Sequence, residues 1–200
     1  MDPLEPIVKI IALTMGVGWA SGINLYAAIL ALGILGTTGN IGLPPDLQVL
    51  MNPLVIAAAA CMYVVEFVTD KIPGVDTGWD TVHTFIRIPM GALLAAGAVG
   101  EMNPAVGLAA AILGGGLAAG AHAAKSGTRV LINASPEPFS NWIASLLEDF
   151  FVIAGVWVAL THPYLFLGFL LVFILLLVWM LPKIWRGIKV LFAKIRQLFH

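Results

Sequence analysis

The sequence predicts an all-α fold, a polytopic bundle of transmembrane helices with about six spans. Apolar residues make up 60% of the chain and charged residues only 10%, whereas an ordinary soluble domain is about 25% charged. The apolar residues fall in long runs, and one membrane-spanning helix needs about 20 of them. So few charges cannot cover a soluble surface. We therefore expect a single membrane domain.

Six apolar runs define the predicted spans. The first is longer than a hydrocarbon core of about 30 Å requires, and the glycines around Trp19 and Asn24 favour a break near its middle. The second and fourth begin with Asn-Pro, at Asn52 and Asn103, a pattern typical of a helix start. The predicted spans cover about residues 7–35, 53–68, 85–99, 104–124, 141–160 and 164–181. Together they make residues 1–182 one transmembrane domain.

Residues 183–200 are predicted to form a separate cytoplasmic helix that is basic and amphipathic. Ile184, Ile188 and Leu191 recur at helical spacing, with Arg186 and Lys189 between them. A helix of this kind lies on anionic lipid headgroups. The same basic residues also act as a topology anchor, and the two interpretations are compatible.

The basic residues predict the orientation of the bundle. With six crossings, all ten lysines and arginines fall on the face that carries both termini. The loops of the other face carry Asp46, Glu101 and His162. Lys and Arg are enriched in cytoplasmic loops, so both termini are expected in the cytoplasm.

A polar stretch between the second and third spans concentrates ionisable residues. Asp76, Asp80, His83 and Arg87 recur at helical spacing and share one stripe, with Asp70 just before them. Carboxylates and an imidazole can hold a proton, and a guanidinium can bind an anion or pair with an acid. Helix capping and anchoring at the membrane interface explain the same residues equally well. Their spacing matches no standard metal-binding motif, so no metal site is predicted.

Three acidic residues fall within predicted spans: Glu66, Glu148 and Asp149. Acids at membrane depth are costly and indicate a functional site. We expect them to close a polar pocket with nearby cations. In the alternative, the fifth span begins nearer residue 148 and its acids lie at a helix N-terminus, where they are favourable. The available basic partners are Arg87, Lys125 and Arg129.

Other polar residues give weaker signals. Ser21 and Asn24 either line a path at a helix break or make interhelical hydrogen bonds. His122 is interpreted as an isolated structural residue. The chain contains no HExxH or GxSxG motif, so no catalytic residue and no cofactor is predicted and a non-enzymatic function is favoured. The net charge of −1 argues against a nucleic-acid partner.

Two segments resemble a known family. Residues 20–26, with the sequence ASGINLY, and residues 70–83, DKIPGVDTGWDTVH, are similar to the bacterial membrane family catalogued as domain of unknown function 4126. The resemblance extends through about residue 160. It implies a polytopic protein of the bacterial inner (plasma) membrane and supplies no activity. It also suggests that the two segments belong to one site.

The leading hypothesis is a small transporter or channel-like protein with a polar cavity open to the cytoplasm and coupling to protons. Its partners would be membrane lipids and an unknown small solute or ion, and a homo-oligomer remains open. One alternative is a lipid-handling protein or enzyme in which Arg87, Lys125 and Arg129 hold headgroups. Another is a non-catalytic scaffold. The predicted pathway residues are Ser21, Asn24, Glu66, Asp70, Asp76, Asp80, His83, Arg87, Glu148 and Asp149.

Overall fold

The computed structural model describes residues 4–39, 41–134 and 139–198, without the side chains of residues 194–196 and 198. The described residues contain helices and no strand, which confirms the predicted all-α bundle. Part of the predicted amphipathic tail and the segment 135–138 lie outside this description. The helices are α1 (Glu5–Thr37), a 3₁₀ helix (Pro45–Met51), α2 (Pro53–Thr69), α3 (Val75–Ala98), α4 (Pro104–Ile132), α5 (Phe139–Thr161) and α6 (Pro163–Leu198).

Helix α1 folds back on itself instead of crossing the bundle. Asn24 has extended backbone angles, φ −145° and ψ 97°, in the middle of the helix. Its first arm, residues 5–23, runs alongside α4, and Gly18 packs against Gly114 there. Its second arm, residues 25–37, returns beside α2, where Gly33 meets Ile56. The break expected in the first apolar run is present, and it reverses the chain.

The two ends of the bundle differ in their polarity. We call the end with the α2–α3 turn, residues 70–74, the polar end, and the end with the α3–α4 turn, residues 99–103, the opposite end. Side chains within residues 7–15 line a groove together with Val99 and Met102. Glu5 and Lys9 line a second groove with His162, which lies at the α5–α6 turn. The first arm of α1 therefore starts at the opposite end, and the second arm finishes there.

This geometry corrects the predicted topology. Helices α2 to α6 alternate in direction along the bundle, and α6 reaches the polar end, where Ile184 packs on Gly127 of α4. The N-terminal part of α1 lies at the opposite end. Among the described residues, α1 thus begins at the opposite end and α6 ends at the polar end, and residues 7–35 reverse instead of making one crossing. The membrane side of each terminus stays a prediction. The sequence of an apolar run does not reveal a reversal of the chain, because the reversal depends on contacts with other helices.

The helices are consistent with a multi-pass membrane protein. By length and composition, α1, α4, α5 and α6 are apolar enough to cross a membrane, and the bent pair of the 3₁₀ helix and α2 makes a fifth candidate among the described residues. Helix α3 runs along α4 but carries charges at Asp76, Asp80 and Arg87. The predicted number of six spans is thus an approximate count.

Three helices run further than the sequence indicates. Helix α3 begins at Val75, α4 continues to Ile132, and α6 passes through Pro182 to Leu198 as one helix. The tail predicted as a separate helix is therefore the end of α6. The charged side chains in the added turns of α3 and α4, such as Asp80, Lys125 and Arg129, form ion pairs inside the bundle.

Small residues bring α1, α3 and α4 into backbone contact. A Cβ added to Gly22 would collide with the carbonyl oxygen of Ala118, and one added to Gly114 would collide with Ala95. On the other side of α1, Trp19 packs against phenylalanines of α6 with ring centroids 5.3–6.0 Å apart. This close packing fixes the position of the α1 tip.

Candidate functional site

Two helices direct cations towards the centre of the bundle near its polar end. Asp80 and Arg87 lie two turns apart on the buried face of α3. On α4, His122, Lys125 and Arg129 follow one another at spacings of three and four residues, so they also share one helix face. The two faces meet, and the acids of α2 and α5 close around them.

Arg87 joins two acids in the interior. The guanidinium is fully buried and donates from Nη2 to Glu66 Oε1 at 2.6 Å and from Nη1 to Asp80 Oδ1 at 2.8 Å. Nη1 also lies 3.1 Å from Nδ1 of His122. His122 Nδ1 must accept this hydrogen bond, so the imidazole is neutral and carries its proton on Nε2, which lies 2.7 Å from the Thr84 hydroxyl.

Lys125 links α2, α4 and the tip of α1. Its ammonium donates to Asp70 Oδ2 at 2.7 Å, to Glu66 Oε1 at 3.3 Å and to the carbonyl oxygen of Ile23 at 3.1 Å. Ile23 ends the first arm of α1, so the cation lies at the negative end of that arm's dipole. This position favours a positive charge.

Arg129 connects α4 to α5. Nη2 donates to Glu148 Oε2 at 2.6 Å, and Nη1 donates to the carbonyl oxygen of Asp70 at 3.0 Å and to the side-chain oxygen of Asn141 at 3.2 Å. Arg129 is fully buried, and the Glu148 side chain is 20% exposed. Glu148 therefore belongs to the bundle interior and not to a headgroup-facing helix terminus.

The tip of α1 touches the fifth helix through Asn24. The side-chain oxygen of Asn24 accepts from the backbone N–H of Ala27 at 2.9 Å and so caps the second arm. Its amide nitrogen donates to Asp149 Oδ1 at 2.9 Å. Because the backbone is broken here, one residue both starts a half-helix and binds a buried acid.

Among the described residues, more acidic than basic side chains lie around Arg87, Lys125 and Arg129. Six carboxylates and four cations lie together, an excess of two negative charges when all are ionised. Five of the carboxylates, all but Glu148, have one oxygen that is buried and lacks a hydrogen-bond partner. Burying an unpaired carboxylate is costly, so this region favours the uptake of a proton or a cation. The acids are Glu66, Asp70, Asp76, Asp80, Glu148 and Asp149, and the bases are Lys71, Arg87, Lys125 and Arg129.

Two residues predicted for the pathway, His83 and Ser21, lie outside this network, and Asp76 lies at its edge, linked to Arg129 through Asn133 and Asn141. Asp76 accepts from the backbone N–H groups of Gly74 and Thr77 at the start of α3, so it orders the turn. His83 lies 3.1 Å from the Tyr26 hydroxyl. Ser21 donates to the carbonyl oxygen of Val17, within its own helix. The other seven predicted residues lie in the network or contact it.

The α2–α3 turn covers the network at the polar end. Lys71 donates to the carbonyl oxygen of Phe67 at 3.0 Å and to the Ser145 hydroxyl at 3.2 Å, and Trp142 donates to the Lys71 carbonyl oxygen. Burial lowers the pKa of the Lys71 ammonium, and the carboxylate of Asp149 opposes that shift.

His122 is the main site residue that the sequence interpretation missed. It looks isolated in the sequence, yet it contacts both Arg87 and Thr84. Its spacing from Lys125 and Arg129 was the available signal, because the three positions form a helical stripe like the one on α3. The partners within α5, such as Asn141, give no such signal.

The arrangement suits the handling of charge more than metal binding. Within the described residues, no group of three or more His, Cys, Asp or Glu side chains could hold a metal ion. The carboxylates instead face guanidinium and ammonium groups. Such a network can exchange protons or a cation.

The fold and the site define a multi-pass helical membrane protein with an ion network buried at the tip of a folded-back helix. Residues 11–183 match the family model described as "Domain of unknown function (DUF4126)". The chain belongs to this family, as the two sequence motifs indicated. No curated protein and no solved structure matches the chain.

Proposed function

We propose that this protein is a small transporter or channel-like protein of the bacterial inner membrane. It would move a proton or a small solute through the ion network at the tip of α1. The observation that carries the proposal is the break of α1 at Asn24, which brings two half-helix ends into contact with buried charges.

Broken helices of this kind are typical of transporter binding sites. A half-helix end leaves backbone groups without partners inside the membrane, which is tolerated where they bind an ion or a polar group. Here the carbonyl oxygen of Ile23 accepts from Lys125, and the second arm is capped by Asn24. The break therefore supports a site at this position.

The excess of carboxylates supports a positively charged cargo or coupling ion. An interior with two surplus negative charges gains stability from each proton or monovalent cation that it takes up. Exchange of that ion with either side of the membrane is the elementary step of ion-coupled transport.

The distribution of basic residues supports the proposed orientation. Lys9 is the one basic residue on the arm of α1 that begins at the opposite end, while the others lie near the polar end or in the second half of α6. The positive-inside rule then puts the polar end and the C-terminus in the cytoplasm. The N-terminus would lie on the outer side.

The headgroup-binding alternative is less well supported. Arg87, Lys125 and Arg129 are almost fully buried and already donate to carboxylates or backbone carbonyl oxygens. A phosphate would have to displace these acids. The three cations therefore serve the network better than they would serve a lipid.

Transport is tested with proteoliposomes on a solid-supported membrane. Gradients of protons, inorganic ions and small organic ions are imposed in turn, and protein-dependent currents are recorded. We expect a current that falls at least tenfold in Asp80→Asn and in Glu148→Gln, because each change removes a charge but keeps the side-chain size.

The matched control is Glu101→Gln, which makes the same chemical change at an exposed turn residue and should leave the current intact. No protein-dependent current under any gradient, or currents undiminished in both network variants, would overturn the proposal. The first result would favour a non-catalytic scaffold.

A further inference from the structure

An apolar groove leads from the opposite end of the bundle towards the ion network. It has a volume of about 450 Å³ and lies between the second arm of α1, α2 and α5. Leu35 and Trp157 line it near the opposite end, and Ala27, Tyr63 and Phe150 line it deeper in the bundle. Small-molecule sites usually measure roughly 300–1,000 Å³, so the groove has the size of a binding site.

The deep part of the groove adjoins Asp149. Phe150 follows this acid along α5, and Ala27 is the residue whose N–H the Asn24 cap binds. The Tyr63 side chain lines the groove and also lies near the Asp149 carboxylate. The groove thus ends beside a carboxylate, about 12 Å along α5 from Trp157 at a rise of 1.5 Å per residue.

Asp149 has capacity for a cationic partner. It is 6% exposed, and its Oδ2 is buried without a hydrogen-bond partner, while Oδ1 accepts from Asn24. Its carboxylate belongs to the set that outnumbers the buried cations.

We propose that this groove binds a hydrophobic monovalent cation, such as a lipophilic amine or a quaternary ammonium or phosphonium ion, with Asp149 as its counter-ion. The assignment rests on the proposed function, because it names the class of substrate for the same site. The apolar wall accepts the organic part of the ligand. The rings of Tyr63, Phe150 and Trp157 favour its positive charge.

A cation explains the combination of features better than a lipid acyl chain does. An acyl chain would fill the apolar wall but would leave the Asp149 oxygen unpaired and the negative excess unchanged. A cation satisfies both the apolar surface and the carboxylate, whereas an anion of the same size would be repelled.

The test is equilibrium binding of tetraphenylphosphonium to the full-length protein in detergent, with tetraphenylborate as a size-matched anion. We expect saturable binding of the phosphonium ion that weakens at least tenfold in Asp149→Asn. Binding should also be lost in Ala154→Trp, which fills the groove without altering a charge. Glu101→Gln should bind like the wild type, and size-exclusion chromatography verifies that each variant is folded.

The outcomes separate this assignment from the proposed function. If the phosphonium ion does not bind, or binds equally well to wild type and Asp149→Asn, the assignment is wrong even where other ions give protein-dependent currents. If tetraphenylborate binds as well as the phosphonium ion, the groove is merely an apolar, lipid-facing surface and the assignment is also wrong. If the cation binds through Asp149 but no current is found under any gradient, the site stands and the transport proposal fails.

Discussion

Replacement of Arg87 by methionine tests whether the ion network holds the bundle together. The substitution removes a fully buried cation that lies 2.6 Å from Glu66 and 2.8 Å from Asp80, so two buried acids lose their closest partner. Breaking one buried ion pair by removing a partner costs about 3–5 kcal/mol. Lys125 remains 3.3 Å from Glu66 and 3.8 Å from Asp80 and offsets part of the second loss. We therefore expect Arg87→Met to lower the free energy of unfolding by about 3–5 kcal/mol, not twice that.

The assay is unfolding in mixed micelles with rising sodium dodecyl sulfate, followed by tryptophan fluorescence. The double variant Arg87→Met with Glu66→Gln should recover about 1–3 kcal/mol relative to the sum of the single losses, because it removes both charges of one pair. The control is Lys9→Met, whose ion pair with Glu5 is exposed and contributes less than about 0.5 kcal/mol. The reasoning is refuted if Arg87→Met loses no more stability than Lys9→Met, or if the double variant is strictly additive.

Three further predictions concern α1 and the topology. Gly22→Ala should lower the free energy of unfolding by about 1–3 kcal/mol, because the added Cβ would meet the backbone of α4. In the control Gly107→Ala the added Cβ enters open space, and the free energy of unfolding should rise by up to about 1 kcal/mol. Asn24→Ala should lose about 1 kcal/mol or more in the same assay, because it removes the cap of the second arm. In a cysteine-free background, Lys9→Cys and Lys189→Cys should react with an impermeant maleimide from opposite sides of the membrane.

Each of these predictions has a clear contrary result. Equal stability of the two glycine variants would mean that the helices are not in backbone contact, and an unchanged Asn24→Ala variant would mean that the second arm needs no cap. Labelling of both cysteines from one side would restore the topology with both termini on one face.

The periodic parts of the site could be predicted from the sequence. Asp76, Asp80, His83 and Arg87 were expected on one helix stripe, and all four lie on the buried face of α3. The Asn52 cap is confirmed, since its side chain accepts from the Leu54 N–H at 2.9 Å. Helical spacing and capping depend on a few adjacent residues, so a single sequence contains this information.

The reversal of α1 could not be predicted in this way. Most of α1 is buried by other helices, so it is apolar on all sides, and such a helix looks the same in sequence as a membrane span. Asn24 and Lys125 each bind a partner that lies more than 100 positions away in the sequence. Hydropathy and periodicity carry no information on contacts of that kind.

The charges of the network are divided between two sets of helices. The cations Arg87, Lys125 and Arg129 all belong to α3 and α4, which are locked to α1 by backbone contact and so form one rigid block. Four of the acids lie instead at the end of α2 or within α5. Any outward movement of α2 or α5 separates opposite charges. Under the proposed function, protonation of those acids would weaken this attraction and so loosen the hold of the cations on α2 and α5.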